Sequence, residues 1–163
     1  MNTIEVMTEE DKFFQKLPKV ELHAHLNGSI SMATIKKLVK LHRDKWPDEK
    51  TPEYCDTVIE GGEYGTNKDP FLIFPVIHAI TDNLDAVRIV TRDVIRDFAE
   101  DGVRYLELRT TPREVEGRMT RQQYCETVLE EMMTVSSTGL GITVKLLLSI
   151  DRKNLDGMDD IVR

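Results

Sequence analysis

The sequence predicts an α/β fold in which parallel β-strands are joined by helical crossovers. Short apolar runs bounded by turn residues alternate with longer segments whose apolar residues recur at helical spacing. The second and third runs each follow a helical segment, which favours parallel pairing in right-handed units. The last run, residues 142–150, is nearly continuous aliphatic sequence, as expected of a parallel strand that is buried on both faces.

The first half of the chain predicts three helices, one strand and an irregular connection. Ser31 and Asp69 are suited to cap two of these helices. Pro70 falls in the first turn of the third helix, and Pro75 is close enough to its start to be tolerated or to kink the helix. In order, the predicted elements are a lead-in helix at 8–17, a strand at 19–26, a helix at 31–43, a surface connection at 44–69 and a helix at 70–80.

The second half predicts an alternation of helices and strands. Gly102 and Gly139 follow the two longer helices, at the position where glycine commonly ends a helix. The predicted elements are a helix at 84–101, a strand at 103–109, a helix at 120–137, a strand at 142–150 and a short helix at 156–163. We assign residues 1–16 to the lead-in helix and residues 17–163 to one main domain.

The first predicted strand carries two histidines, His23 and His25, one residue apart. Side chains two apart on a strand share a face, so the two imidazoles point the same way, with Glu21 behind them. The Asn27-Gly28 turn places the pair at the carboxyl end of the strand, where parallel α/β folds carry their chemistry. Two imidazoles on one face form half of a metal site, because a catalytic zinc usually takes three protein ligands.

Composition narrows the classes of function. A net charge of −7 over 163 residues leaves no basic stripe for a nucleic-acid backbone, so small-molecule partners are favoured. No run approaches the ~18 to 20 apolar residues of a membrane span, which indicates a soluble cytoplasmic protein. Cys55 and Cys125 are far apart and predict reduced thiols.

Two motifs carry a resemblance to a known family. They are LPKVELHAHLNGSI at 17–30 and GVRYLELRTTPR at 102–113, and residues 147–152 fall where the same family has its next strand end. With these motifs the sequence resembles the adenosine deaminase family from about Leu17 onward. The most similar branch is the adenosine deaminase-like one, whose members resemble N6-methyl-AMP deaminases.

The resemblance implies an incomplete (β/α)8 TIM barrel. A complete barrel has eight strand–helix units and ~250 residues, and this chain supplies about the first three units. In the family, the general-acid glutamate and the remaining metal ligands follow the third strand, and no such motif follows Asp151 here. We therefore expect the N-terminal portion of a longer, monomeric deaminase, with no catalytic acid in this chain and no activity by the chain alone.

The resemblance also implies the residues of the site. His23 and His25 correspond to ligands of a single zinc ion, and Asn27 stands where classical adenosine deaminases carry an aspartate. Because an amide removes a charge that would repel phosphate, and Arg113 offers a fork suited to a monophosphate, a purine nucleotide is the expected substrate. The implied substrate-binding residues are His25, Asn27, His78, Thr110, Thr111, Pro112, Arg113 and Asp151.

Other interpretations stay open from the residues. The Thr-Thr-Pro sequence is a common way to end a strand, Arg113 and Asp151 are compatible with solvated or paired charges, and His78 with a boundary position of a helix. His42 and His78 do not complete a metal site at any recognised spacing. The alternative functions are deamination of the nucleoside adenosine, a non-catalytic half-barrel that binds a partner subunit, and a generic barrel hydrolase that uses the histidine pair.

Overall fold

The computed structural model describes residues 8–51, Cys55 and residues 73–150. Its helices are α1 (Glu9–Lys16), α2 (Met32–Lys45), α3 (Phe74–Ile80), α4 (Leu84–Glu100) and α5 (Arg121–Ser136), and its strands are β1 (Lys19–His25), β2 (Val103–Thr110) and β3 (Thr143–Leu148). The predicted cap at Asp69, the predicted helix at 156–163 and the predicted site residue Asp151 lie outside the described residues.

The three strands form one parallel sheet in the order β1-β2-β3. Within the described residues, the connection from β1 to β2 contains α2, α3 and α4 and that from β2 to β3 contains α5, so the α/β class and parallel pairing are confirmed. Leu106 and Leu108 of β2 are buried together with Val94 of α4 and Val128 of α5. The helical layer therefore covers one face of the central strand.

A bulge in β1 changes the alternation that the sequence predicts. Glu21 pairs with Leu106 and Ala24 with Leu108, so β1 advances three residues while β2 advances two. The sequence predicts Leu22, Ala24 and Leu26 on one buried face. Ala24 and Leu26 are buried, whereas Leu22 is 54% exposed, so the prediction for Leu22 is wrong because a bulge interrupts the period of two.

The third strand differs from its prediction in burial. The sequence predicts β3 buried on both faces, yet its residues are at most half-buried and Leu148 is 42% exposed. β3 pairs with β2 alone among the described residues, which leaves its other edge open. The aliphatic composition therefore correctly predicts a parallel strand, whereas the burial of that strand depends on which elements cover it.

Side-chain caps fix where the helices begin. The Ser31 hydroxyl accepts a hydrogen bond from the Thr34 N–H at 3.4 Å, as predicted from the sequence. Thr120 caps α5, and the Gln123 side-chain oxygen accepts a hydrogen bond from the Thr120 N–H at 2.9 Å, which completes a capping box. Pro75 lies in the first turn of α3, where it removes no helical hydrogen bond.

Polar contacts align the helices with one another. Arg92 of α4 donates to Glu131 of α5 at 2.6 Å, and Glu131 is buried. Thr34 and Lys37 of α2 both donate to Asp93 of α4 at 2.8 Å. Although partial burial of Asp93 opposes it, these bonds lower the pKa of its carboxyl group. No helix in the described part of the chain is long and apolar enough to cross a membrane.

The central strand should carry more of the stability than the outer face of α5. Leu106→Ala empties a fully buried position, and we expect a loss of about 2–5 kcal/mol in the free energy of unfolding. Leu129→Ala is the matched control, because Leu129 is 46% exposed, and it should cost less than about 1 kcal/mol. Urea denaturation of both variants tests this, and equal losses would contradict the placement of the core.

Candidate functional site

Hydrogen bonds between neighbouring strands bring their carboxyl ends to one level. His25 of β1 pairs with Arg109 of β2, and Arg109 pairs with Leu147 of β3. Beyond the strands, the Leu26 N–H donates to the Arg109 carbonyl and the Ser149 N–H to the Thr110 carbonyl, both at 2.8 Å. The histidine pair and the Thr-Thr-Pro-Arg segment therefore lie at the same end of the sheet, on neighbouring strands.

The two histidines of β1 lie close together and face solvent. Their ring centroids are 5.3 Å apart with 41° between the ring planes, and both residues are exposed. The Glu21 carboxylate accepts a hydrogen bond from the His23 backbone N–H at 2.7 Å, so it supports the strand rather than a ring nitrogen. Two accessible imidazoles at this spacing fit two nitrogen donors of a zinc site.

The turn after β1 holds Asn27 beside this pair. The Gly28 N–H donates to the His25 carbonyl at 3.0 Å, and the Ser29 hydroxyl donates to the same carbonyl at 2.8 Å. These two bonds fold the turn back over the end of the strand. The half-buried Asn27 therefore stands immediately next to His25, where its amide offers both a donor and an acceptor.

The end of β2 divides into a buried part and an accessible part. The Thr110 hydroxyl is buried and lies 2.6 Å from the Tyr124 hydroxyl of α5, so in this structure it is engaged with the helix layer. Burial raises the pKa of Tyr124, although the Thr110 bond and the Arg113 charge oppose this. Thr111 is exposed and Pro112 is buried.

Arg113 and His78, predicted separately from the sequence, are brought into contact. Arg113 Nη1 donates to the His78 carbonyl at 3.1 Å and lies 3.5 Å from the Thr81 hydroxyl. Desolvation of the guanidinium lowers the pKa of Arg113, and desolvation together with the Arg113 charge lowers the pKa of His78. No carboxylate pairs with Arg113 among the described residues, so its positive charge is not neutralised there.

A second polar group lies at the end of α2 and was missed by sequence reasoning. We define the Arg118 cluster as His42, Trp46, Glu49, Asp82 and Arg118. The buried His42 Nε2 lies 3.4 Å from Asp82 Oδ2 and 3.8 Å from Glu49 Oε2. Arg118 binds both carboxylates, and its guanidinium carbon lies 3.8 Å from the Trp46 ring centroid. These residues come from three separate segments of the chain, so no local sequence spacing predicts that they meet.

The Arg118 cluster differs from the histidine pair of β1 because its carboxylates are already paired with a positive charge. Donor atoms of His42, Glu49 and Asp82 lie within 4.8 Å of one another, close enough to contact one cation. The Arg118 guanidinium already occupies the carboxylates, so a metal ion would have to displace it. His23 and His25, in contrast, are exposed, and their rings lie beside each other.

Comparisons with known proteins agree with the sequence resemblance. The Adenosine deaminase family model matches residues 18–163. A Xenopus laevis N6-methyl-AMP deaminase-L is 48% identical over 144 residues, which are 87% of this chain and 40% of that protein. The crystal structure of arabidopsis ADAL complexed with IMP aligns with a TM-score of 0.74 and 36% identity, over 93% of this chain and 46% of that one.

A more distant structure extends the comparison to a metalloprotein. An amidohydrolase from Burkhoderia ambifaria, solved with bound Zn, aligns with a TM-score of 0.68 and 25% identity, over 98% of this chain and 43% of that chain. The described chain is thus an α/β partial barrel with three parallel strands. It spans about two fifths of the length of the curated relatives that it matches.

The lowered histidine pKa values predict how stability changes with pH. Burial lowers the pKa of His42 from its ordinary value of 6.5, with a contribution from Arg118 that Glu49 opposes. The histidines of the unfolded chain therefore bind protons at a higher pH than those of the folded chain. The free energy of unfolding should consequently fall as the pH drops below 6.5. We expect His42→Gln and His78→Gln each to reduce this slope in pH-dependent urea denaturation. An unchanged slope in the double variant would contradict the assignment.

Proposed function

We propose, from the premise that this chain belongs to the adenosine deaminase family, that the protein deaminates an N6-substituted purine nucleotide. The reaction is the hydrolytic conversion of N6-methyl-AMP or AMP to IMP, in the cytoplasm and by a monomer that contains the whole barrel. The single observation that carries the proposal is the exposed histidine pair beside Asn27, one strand away from an arginine with no carboxylate partner in the described chain.

His23 and His25 are the proposed zinc ligands. Their rings present nitrogen donors from neighbouring positions at a strand end, which fits two of the ligands of a catalytic site. A bound zinc ion supplies the Lewis acidity that makes water a nucleophile near neutral pH. In this proposal the general acid and the remaining ligands come from outside the 163 residues, and the chain alone is inactive.

Arg113 and Asn27 are the residues proposed to make the site prefer a nucleotide over a nucleoside. Because Arg113 Nη1 is held by a backbone carbonyl, the guanidinium is oriented while its charge stays available for a phosphate. Asn27, in the turn after the neighbouring strand β1, adds hydrogen-bonding capacity without a negative charge. His78, Thr111 and Pro112 complete the proposed contact surface, Thr110 supports it through Tyr124, and Asp151 is proposed by the resemblance alone.

The substrate preference is tested by supplying N6-methyl-AMP, AMP and adenosine in parallel and measuring the deaminated product by chromatography. A longer polypeptide that contains this barrel segment should convert the two nucleotides faster than the nucleoside, and the 163-residue chain should convert none. Faster conversion of adenosine would favour the nucleoside alternative, and turnover by the isolated chain would contradict its proposed inactivity.

Replacing a metal ligand should reduce zinc binding. His23→Ala removes one of two neighbouring nitrogen donors, so zinc affinity, measured by competition with a chelating dye, should fall markedly. His78→Ala is the matched control, because His78 lies on α3 outside the pair. Equal zinc affinity in the His23 variant and the wild-type chain would refute the assignment.

Restoring a carboxylate at Asn27 should select against phosphate. Asn27→Asp places a negative charge in the turn after β1, at the same end of the sheet as Arg113, so AMP binding should weaken more than adenosine binding. Gln122→Glu adds the same charge on the exposed face of α5 and serves as the control. Equal weakening of both ligands in the Asn27 variant, measured by calorimetry, would place the phosphate elsewhere.

A second candidate function is binding to a partner polypeptide without catalysis. Its supporting observation is a set of exposed apolar side chains on α1 and β1, namely Phe13, Phe14, Val20 and Leu22. Size-exclusion chromatography with metal analysis separates the two proposals. A stable, zinc-free complex with another protein would favour the binding role, whereas a zinc-containing monomer would count against it.

A further inference from the structure

The Arg118 cluster joins three parts of the chain, of which one also carries Arg113 of the proposed substrate site and another adjoins the helix that carries His78. Arg118 belongs to the loop between β2 and α5, Glu49 follows α2, and Asp82 lies between α3 and α4. The Arg118 side chain is 17% exposed and that of Asp82 is 11% exposed, so this charge pair is largely removed from water. Ion pairs in such surroundings hold a defined geometry, because breaking one leaves an unpaired charge in a poorly solvated place.

The same loop is attached to the same junction a second time, through Arg113. Arg113 donates to the His78 carbonyl at 3.1 Å. Arg118 binds Asp82, which follows His78 by four residues. Val115, which lies between the two arginines, and Met119, which follows Arg118, form an antiparallel bridge, with the Val115 N–H donating to the Met119 carbonyl at 2.8 Å. This bridge closes a tight turn that contains Arg118 and begins two residues after Arg113, so both arginines lie on one short segment attached at two points.

We propose that Arg118 is a positioning residue of the substrate site. By bridging Asp82 and Glu49 and stacking on Trp46, it holds the loop against the α3–α4 junction and sets the orientation of Arg113. This inference rests on the proposed function in so far as Arg113 contacts the nucleotide. Lysine cannot replace Arg118, because an ammonium group lacks the planar fork that reaches both carboxylates and the flat surface that stacks on the indole.

Hydrogen–deuterium exchange of the 163-residue chain tests the local effect. In Arg118→Met, we expect amides of residues 111–119 and 78–83 to exchange at least about tenfold faster, since bonds to charged groups are lost. Amides of Leu106 and Leu108 in the buried strand should keep their wild-type rates. Arg118→Lys should behave like Arg118→Met, and the control Arg104→Met, on the exposed side of β2, should change neither segment.

Fluorescence provides a second local readout. Trp46 is the single tryptophan of the chain, and its ring is covered by Arg118. Its emission should shift to longer wavelength in both Arg118 variants and stay unchanged in Arg104→Met. Unchanged exchange in Arg118→Met would overturn the proposal. So would faster exchange throughout β2, which indicates a general stabilising role, or wild-type behaviour of Arg118→Lys.

Nucleotide binding separates this inference from the proposed function. By equilibrium dialysis with IMP, Arg118→Met should weaken binding about tenfold, and should add nothing in the presence of Arg113→Met, because Arg118 acts through Arg113. Additive losses would overturn the positioning role. If the wild-type chain binds no IMP, the nucleotide site proposed for this chain fails, and the exchange rates alone decide whether Arg118 positions the loop.

Discussion

The register of three parallel strands is the constraint on which the site depends. β1 and β3 both pair with β2, and one further backbone bond on each side, from Leu26 to Arg109 and from Ser149 to Thr110, extends the alignment past the strand ends. Because side chains beyond a strand can only be as well placed as the strand itself, this registration determines that the His23–His25 pair and the Thr-Thr-Pro-Arg segment share one edge. A bulge in β1 adjusts the pairing without moving His25 away from Arg109.

The helical layer supports that edge from outside. Tyr124 of α5 holds the Thr110 hydroxyl, and α3 receives Arg113 through the His78 carbonyl. Helices α2 and α4 are joined by the bonds to Asp93, so α2 cannot shift along α4 without breaking them. The exposed side chains at the end of the sheet thus stand on a rigid base, which favours a preorganised site over one assembled by its ligand.

Local patterns were sufficient to predict the elements and the main motif. Helical spacing predicted α2, α4 and α5 because each buries one face, and the alternation before Asn27-Gly28 predicted the histidine pair. Besides the burial of β3, which depends on what covers that strand, two features escape prediction for physical reasons. The bulge that exposes Leu22 depends on the neighbouring strand, and the Arg118 cluster depends on tertiary contacts between segments tens of residues apart. Sequence patterns report which face a residue occupies, whereas pairing between distant charges is decided only when the chain has folded.

Arg113 and Arg118 lie in the same loop but differ in their partners, since Arg118 pairs with carboxylates and Arg113 donates to neutral oxygen atoms. This difference links the fold to the proposed chemistry. Arg118 is neutralised by Asp82 and Glu49, so its charge is used within the protein. Arg113 binds a carbonyl and lies near a hydroxyl, groups that orient a guanidinium without cancelling its charge. A desolvated, oriented cation that has no carboxylate partner among the described residues gains favourable energy when it binds an anion. Because the turn closed by the Val115–Met119 bridge begins two residues after Arg113, the ion-paired Arg118 can hold in place the segment that carries Arg113.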